Sequence, residues 1–304
     1  MTKKILVNII LLAIIFVLIE VACIIFEVTE RLFEPFIVQE VKIPFKERVI
    51  DYGYWFRNSY TIKREFDPTK KTLRYPVIMN SSKRPILISG CSYANGFLLS
   101  EKECLHYILA HKTNRTVSNI GIVCASPVET LYYLRHKDIL AKQINNNFDI
   151  EYNIYVFINA QKLRLFRDED FRTQHYKIDP KTQEITFVPD KFIYHLFMYR
   201  EYRRLVTMFT PQKKIDEVYN LFMRTINKEQ KKVFPNSKMV IFAYAGEEDN
   251  ALKGLEKEGI QVIYLGKETT IDWDCGKYKA PDRSHPNGLL WEEAANILQR
   301  KLKL

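Results

Sequence analysis

Three loops of this chain hold residues whose types and spacing suit acyl-transfer chemistry. The first reads Gly90-Cys91-Ser92-Tyr93-Ala94-Asn95-Gly96. Two glycines bracketing one serine, in a chain with only 10 glycines, point to a tight turn, because glycine accepts the backbone angles and close approach that such a turn needs. The turn presents the Ser92 hydroxyl and backbone N–H near a helix N-terminus. The last loop reads Asp282-Arg283-Ser284-His285-Pro286. A serine hydroxyl is a weak nucleophile until a base takes its proton, and an acceptor must orient that base. His285 and Asp282, on one loop, supply both roles. Between these stretches lie Asn119-Ile120-Gly121 and Asn159. The Gly121 N–H and the Asn159 amide, joined by the Ser92 N–H, would make an oxyanion hole, the set of donors that stabilises the tetrahedral intermediate of acyl transfer.

Residues so far apart act together only if the fold gathers them. From Pro85 onward the sequence alternates short apolar runs with helical patterns. Ile86–Ile88, Thr116–Ile120, Ile154–Ile158, Met239–Tyr244 and Gln261–Leu265 read as five strands; Glu103–Lys112, Glu129–Gln143, Ile215–Lys232, Asn250–Glu258 and Leu289–Leu302 read as helices. Strands separated by helices imply βαβ units, a parallel sheet and helices on both faces. In such sheets the working residues lie on loops beyond the carboxyl ends of strands, which is where Ser92, Gly121 and Asn159 fall. An insertion at about 160–210 interrupts the alternation, with a hairpin predicted around Asp179-Pro180 and many aromatic and arginine side chains.

The ordered set Ser92, Gly121, Asn159, Asp282, His285 resembles the SGNH hydrolases, also called the GDSL family, over residues 84–304. The resemblance implies a flavodoxin-like three-layer α/β/α sandwich with a five-stranded parallel sheet. It implies Ser92 as nucleophile, His285 and Asp282 as the rest of the triad, and Ser92, Gly121 and Asn159 as oxyanion donors, with no metal or cofactor. Two blocks depart from the family pattern: Gly-Cys-Ser stands where Gly-Asp-Ser is usual, and Asn159-Ala160 where Asn-Asp is usual. Neither lost aspartate belongs to the triad; what they put in question is how firmly Ser92 and Asn159 are held. Cys91 reads as a small buried packing residue. His106, His111, His136, His175 and His195 have no comparable partners in sequence and read as surface or insertion residues.

The 304 residues are 47% hydrophobic and 27% charged, which excludes a disordered or collagen-like chain. The apolar residues are unevenly spread. From Ile5 to Phe26 the strongly polar side chains are Asn8 and Glu20; as a helix that stretch reaches about 33 Å, enough to cross a hydrocarbon core of about 30 Å. Lys3 and Lys4 precede it, so the positive-inside rule keeps the N-terminus in the cytoplasm and exports the rest. Residues 1–26 are therefore expected to anchor the chain, 27–83 to form a membrane-proximal lead-in, and 84–304 the catalytic domain, with the periplasmic side of an inner membrane as its place. The 5 cysteines lack metal-site spacing. The formal net charge of +10 suits anionic head groups or acidic envelope polymers; no basic, aromatic-interleaved motif suggests nucleic acid.

The expected activity is that of a serine esterase removing or transferring acyl groups, chiefly O-acetyl, on an extracytoplasmic glycan. Export, tethering and the aromatic insertion, a candidate sugar-binding wall, suggest the glycan. Two alternatives stay open: a catalytically degenerate SGNH domain serving as a binding or assembly module in envelope polysaccharide synthesis, and a lipase or lysophospholipase.

Overall fold

The computed structural model describes residues 11–12, 14–22, 74–97, 99–123, 125–166, 175–189, 197–244, 249–273, 275–280 and 284–304. Among them no helix is long and apolar enough to cross a membrane. Residues 11–12 and 14–22 are helical and largely exposed; the rest of the expected anchor, and the lead-in as far as residue 73, lie outside the described residues.

Five strands form one parallel sheet in the order β2-β1-β3-β6-β7. They are β1 (Ile86–Gly90), β2 (Val117–Asn119), β3 (Tyr152–Phe157), β6 (Lys238–Ala243) and β7 (Gln261–Tyr264). Every residue of β1, β2 and β3 is buried, since a parallel sheet is covered on both faces, and Ile86-Leu87-Ile88 reads as an apolar run for that reason. Alternate side chains feed two cores. Ile86, Ile88 and Val156 pack in one with α2 (Leu105–Thr113) and α10 (Gly288–Leu302); Leu87, Tyr155 and Phe157 pack in the other with α3 (Pro127–Arg135), α7 (Gln212–Val233) and α8 (Asn250–Lys257). The result is a three-layer α/β arrangement, as expected.

Local chemistry sets the helix boundaries. Ser126 and Glu129 form a capping box at the start of α3, with Pro127 at its first position, an arrangement that satisfies orphan N–H groups reciprocally. The single helix expected over Glu129–Gln143 is broken at His136, after which α4 runs Lys137–Gln143. The insertion contains the expected hairpin, β4 (His175–Ile178) paired antiparallel with β5 (Ile185–Val188), and two helices not anticipated from the sequence, α5 (Ala160–Arg164) and α6 (Phe197–Phe209). A further short helix, α9 (Leu265–Glu268), follows β7.

Residues 74–83, read as lead-in, are built into the domain. Val77 pairs antiparallel with Val117 through two backbone hydrogen bonds of 2.9 and 3.0 Å, so it covers the free edge of β2, an edge that would otherwise expose unpaired backbone groups. β1 sends its next strand to one side and β3 lies on the other. The crevice beyond the carboxyl ends of β1 and β3 is thus the topological switch point, where α/β sheets bind ligands.

Candidate active site

β1 ends at Gly90 with φ +132°, and a Cβ added there would meet the Val156 carbonyl oxygen at 2.6 Å. Only glycine lets the chain leave the strand so close to β3. Cys91 is fully buried, as the sequence suggested, and Ser92 opens the short helix α1 (Ser92–Asn95), which Gly96 terminates with φ 70°. The N–H groups of a first helical turn have no intrahelical acceptor, so nothing within α1 accepts from the Ser92 N–H.

His285 Nε2 lies 2.9 Å from Ser92 Oγ. With the hydroxyl donating, Nε2 is the acceptor and Nδ1 carries the proton, and Ser284 Oγ stands 3.1 Å from Nδ1. Asp282, the expected orienting residue, lies outside the described residues. Among the described residues the group on Nδ1 is the Ser284 hydroxyl, a partner that the sequence reading overlooked. The loop is pinned by Ala280 N–H to the His285 carbonyl at 2.7 Å, by Asn287 Nδ2 to the Lys277 carbonyl at 2.7 Å, and by Tyr93 OH to the Ser284 carbonyl at 2.7 Å. The His285 ring sits beside Tyr93 and Phe97, with centroids 5.0 and 5.3 Å away.

The predicted oxyanion donors fare differently. Asn159 follows β3, whose Val156 is in register with Gly90, so it stands at the same sheet end as Ser92 and is exposed there. Gly121 also reaches this end, but its N–H donates to Asn119 Oδ1 at 2.8 Å. As the loop stands, that N–H is committed within the protein. What Gly121 contributes is closeness: an added Cβ would lie 2.7 Å from Ala94 Cβ and 2.8 Å from Asn95 N.

Aromatic side chains gather at the site, and among the described residues those named here stand outside the insertion. Tyr93 packs edge-on against Tyr244 at 4.9 Å, and Tyr244 against Trp273 at 4.7 Å. Lys279 Nζ lies 5.5 and 5.7 Å from the Tyr244 and Trp273 ring centroids. Of the described insertion aromatics, Tyr176 packs against Phe222 of α7 and Phe187 against Tyr132 of α3, while Tyr202 and Phe209 are exposed. Chemically, the arrangement offers a hydroxyl paired with an imidazole, an exposed amide at the same end of the sheet, and a cluster of aromatic rings.

No protein-family model matches the sequence, and no curated protein matches it. The chain is similar in structure to an acetyl xylan esterase from Butyrivibrio proteoclasticus, at 10% identity and TM-score 0.43; the similarity covers 75% of this chain and 66% of that one, just under two thirds of its length. It is also similar to a GDSL-like lipase from Parabacteroides merdae, at 14% identity, TM-score 0.41, and 71% and 94% coverage. A psychrotrophic esterase from a Pseudoalteromonas species is similar at 12% identity and TM-score 0.42, covering 73% of this chain and 100% of that one.

Proposed function

We propose that the chain is a serine esterase of SGNH type acting on acyl esters, chiefly O-acetyl groups, of an extracytoplasmic glycan, and that residues 5–26 anchor it in a membrane. The observation that carries the chemistry is the Ser92–His285 contact of 2.9 Å. Ser92 Oγ forms a bond to the ester carbonyl carbon as its proton passes to His285 Nε2. The tetrahedral oxyanion is met by the Ser92 N–H and the Asn159 amide. Collapse expels the substrate alcohol, which takes the proton from His285. Water, or a sugar hydroxyl in a transfer reaction, then attacks the acyl-serine with His285 again as base, and the second intermediate collapses with Ser92 Oγ leaving and taking the proton back from His285. Asp282 and Ser284 hold the imidazole tautomer. The half-buried rings of Tyr93 and Trp273, packed on Tyr244, support a glycan ligand, since flat rings match the apolar faces of sugars.

One observation favours the non-catalytic alternative, a domain that binds envelope polysaccharide without cleaving it: the Gly121 N–H is already bonded to Asn119, which leaves fewer donors for an oxyanion. A fluorophosphonate probe and p-nitrophenyl acetate separate the two. The esterase reading expects covalent labelling and turnover that vanish in Ser92→Ala. A parent protein that neither labels nor turns over supports the binding domain. Comparing glycan from deletion and parent strains for an acetyl mass difference tests the substrate.

A further inference from the structure

Beneath the Ser92 turn lies a ring of buried polar side chains that the proposed chemistry does not use. Its members are Arg74, Asn95, His106 and Asn119, at 3%, 2%, 0% and 0% exposure, closed by Glu101. The sequence reading placed His106 on the surface; it is instead enclosed, paired through Nε2 with Glu101 Oε1 at 2.6 Å. Arg74 Nη1 meets the other Glu101 oxygen at 2.8 Å. The Arg74 guanidinium also donates to the carbonyls of Asn95 at 2.8 Å, Gly96 at 2.6 Å and Leu99 at 3.1 Å. Asn119 Nδ2 donates to the Ala94 carbonyl at 2.7 Å, and Asn95 Nδ2 to the Gly121 carbonyl at 2.9 Å. Three successive carbonyls at the end of α1 thus have buried partners on Asn119 and Arg74.

The ring fixes its own protons. The Ala94 carbonyl requires a donor and the Gly121 N–H an acceptor, so the Asn119 amide has one orientation, with Nδ2 toward Ala94 and Oδ1 toward Gly121. The second Nδ2 hydrogen then faces His106 Nδ1 at 3.3 Å. His106 Nδ1 is therefore an acceptor, and Nε2–H donates to the Glu101 carboxylate. A half-satisfied buried network costs more than an apolar one, so each member holds the next in place.

We propose that His106 is a positioning residue for Ser92, acting through Asn119: its Nδ1 lone pair locks the Asn119 amide, which clamps the Ala94 end of the nucleophile turn and the Gly121 loop together. This rests on the serine esterase reading. It adds that the distance from Ser92 Oγ to His285 is set from below by a histidine that never touches substrate. Small displacements of a reacting group are costly: about 1 Å is worth roughly 100-fold in rate.

Two substitutions dissect the imidazole in the full-length chain. His106→Asn places an amide oxygen near the Nδ1 position and keeps the acceptor facing Asn119. His106→Gln extends toward Glu101 and keeps the far donor but not the acceptor. The readouts are the rate of Ser92 phosphonylation by a fluorophosphonate, kcat and KM for p-nitrophenyl acetate, and the thermal midpoint. The expected result is kcat within about threefold of the parent for His106→Asn, a loss of roughly tenfold or more for His106→Gln, KM little changed in both, and similar midpoints. Equal kcat in the two variants, or losses that follow the midpoint alone, overturns the proposal while parental labelling keeps the esterase reading intact. A parent that neither labels nor turns over overturns the esterase reading and this inference with it. If neither His106 variant yields folded protein, Glu101→Gln carries the test: a drop in kcat at unchanged KM supports the positioning role, and parental kcat overturns it.

Discussion

Ser92 Oγ and His285 Nε2 are 2.9 Å apart although 193 residues separate them in sequence. Ser92 opens the short helix after β1 and His285 stands on the loop before α10, at one end of a single parallel sheet, so the pairing is a consequence of topology: β1 delivers the serine, and the segment after β7 and α9 returns the histidine to it. Replacing Ser92 by Ala is expected to abolish phosphonate labelling and ester turnover, with the fold unchanged by circular dichroism. His285→Ala removes the general base and should lower kcat by about 10²- to 10⁴-fold. Turnover that survives Ser92→Ala would place the nucleophile elsewhere.

The close passage of backbones at the site should make its glycines intolerant of even one methyl group. At Gly90 an added Cβ meets backbone oxygen at 2.6 Å in a φ of +132°; at Gly121 it meets Ala94 Cβ and Asn95 N at 2.7 and 2.8 Å. Overpacking of this kind costs about 1–3 kcal/mol, and the left-handed angle adds strain at Gly90. Urea denaturation should show both Gly→Ala variants destabilised, Gly90→Ala more so. Phosphonylation of Ser92 should slow in both, since each shift acts on the turn that carries it.

Much of the fold is legible in the sequence. Strands of a doubly covered sheet announce themselves as apolar runs such as Ile86-Leu87-Ile88, and the loop residues after them follow in order. The polar ring was not readable, for a physical reason. Hydropathy marks which residues avoid water, not which polar residues find partners inside. His106 looked unpartnered because Glu101 precedes α2, in the turn Glu101–Glu103, while Asn119 belongs to another strand. Arg74 lay in a segment without periodicity, and its three carbonyl acceptors carry no side-chain signal. Ser284 was passed over because the spacing of Asp282 and His285 already supplied an orienting group. The aromatic cluster is not legible because Tyr93, Phe97, Tyr244 and Trp273 are scattered in sequence, whereas the insertion concentrates its aromatics in one stretch.

Glu101 gives the ring a pH signature. Burial alone would raise its carboxyl, but the hydrogen bond from His106 and the neighbouring Arg74 guanidinium hold it down from an ordinary 4.5 to about 2. A depressed folded value means that the contribution to stability is present above the ordinary value and is lost as pH falls from about 4.5 toward about 2. Its side chain is 43% exposed, so solvent screening keeps the increment modest. Glu101→Gln should therefore be less stable than the parent at neutral pH, with the two converging in acid. Chemical denaturation at a series of pH values checks this; a difference that stays constant or widens in acid contradicts it.

Lys162 provides the sharpest test of what holds the Asn159 loop. It lies on α5, directly beyond Asn159, with its side chain only 4% exposed and Nζ 2.9 Å from Asp216 of α7 and 2.6 Å from Asp249, the N-cap of α8. One ammonium thus ties three helices together and is the shared counter-ion of two carboxylates exposed by only 16% and 14%. Lys162→Met keeps the length of the side chain and removes the charge, leaving two half-desolvated anions facing each other. Breaking a buried pair from one side costs about 3–5 kcal/mol, far more than the lost contact itself. Urea denaturation of the single variant should show a loss of that size, and adding Asp216→Asn should restore a good part of it, because one of the two stranded charges is then gone. If the double variant is no more stable than Lys162→Met, the penalty comes from lost packing of the lysine stem rather than from unpaired charge.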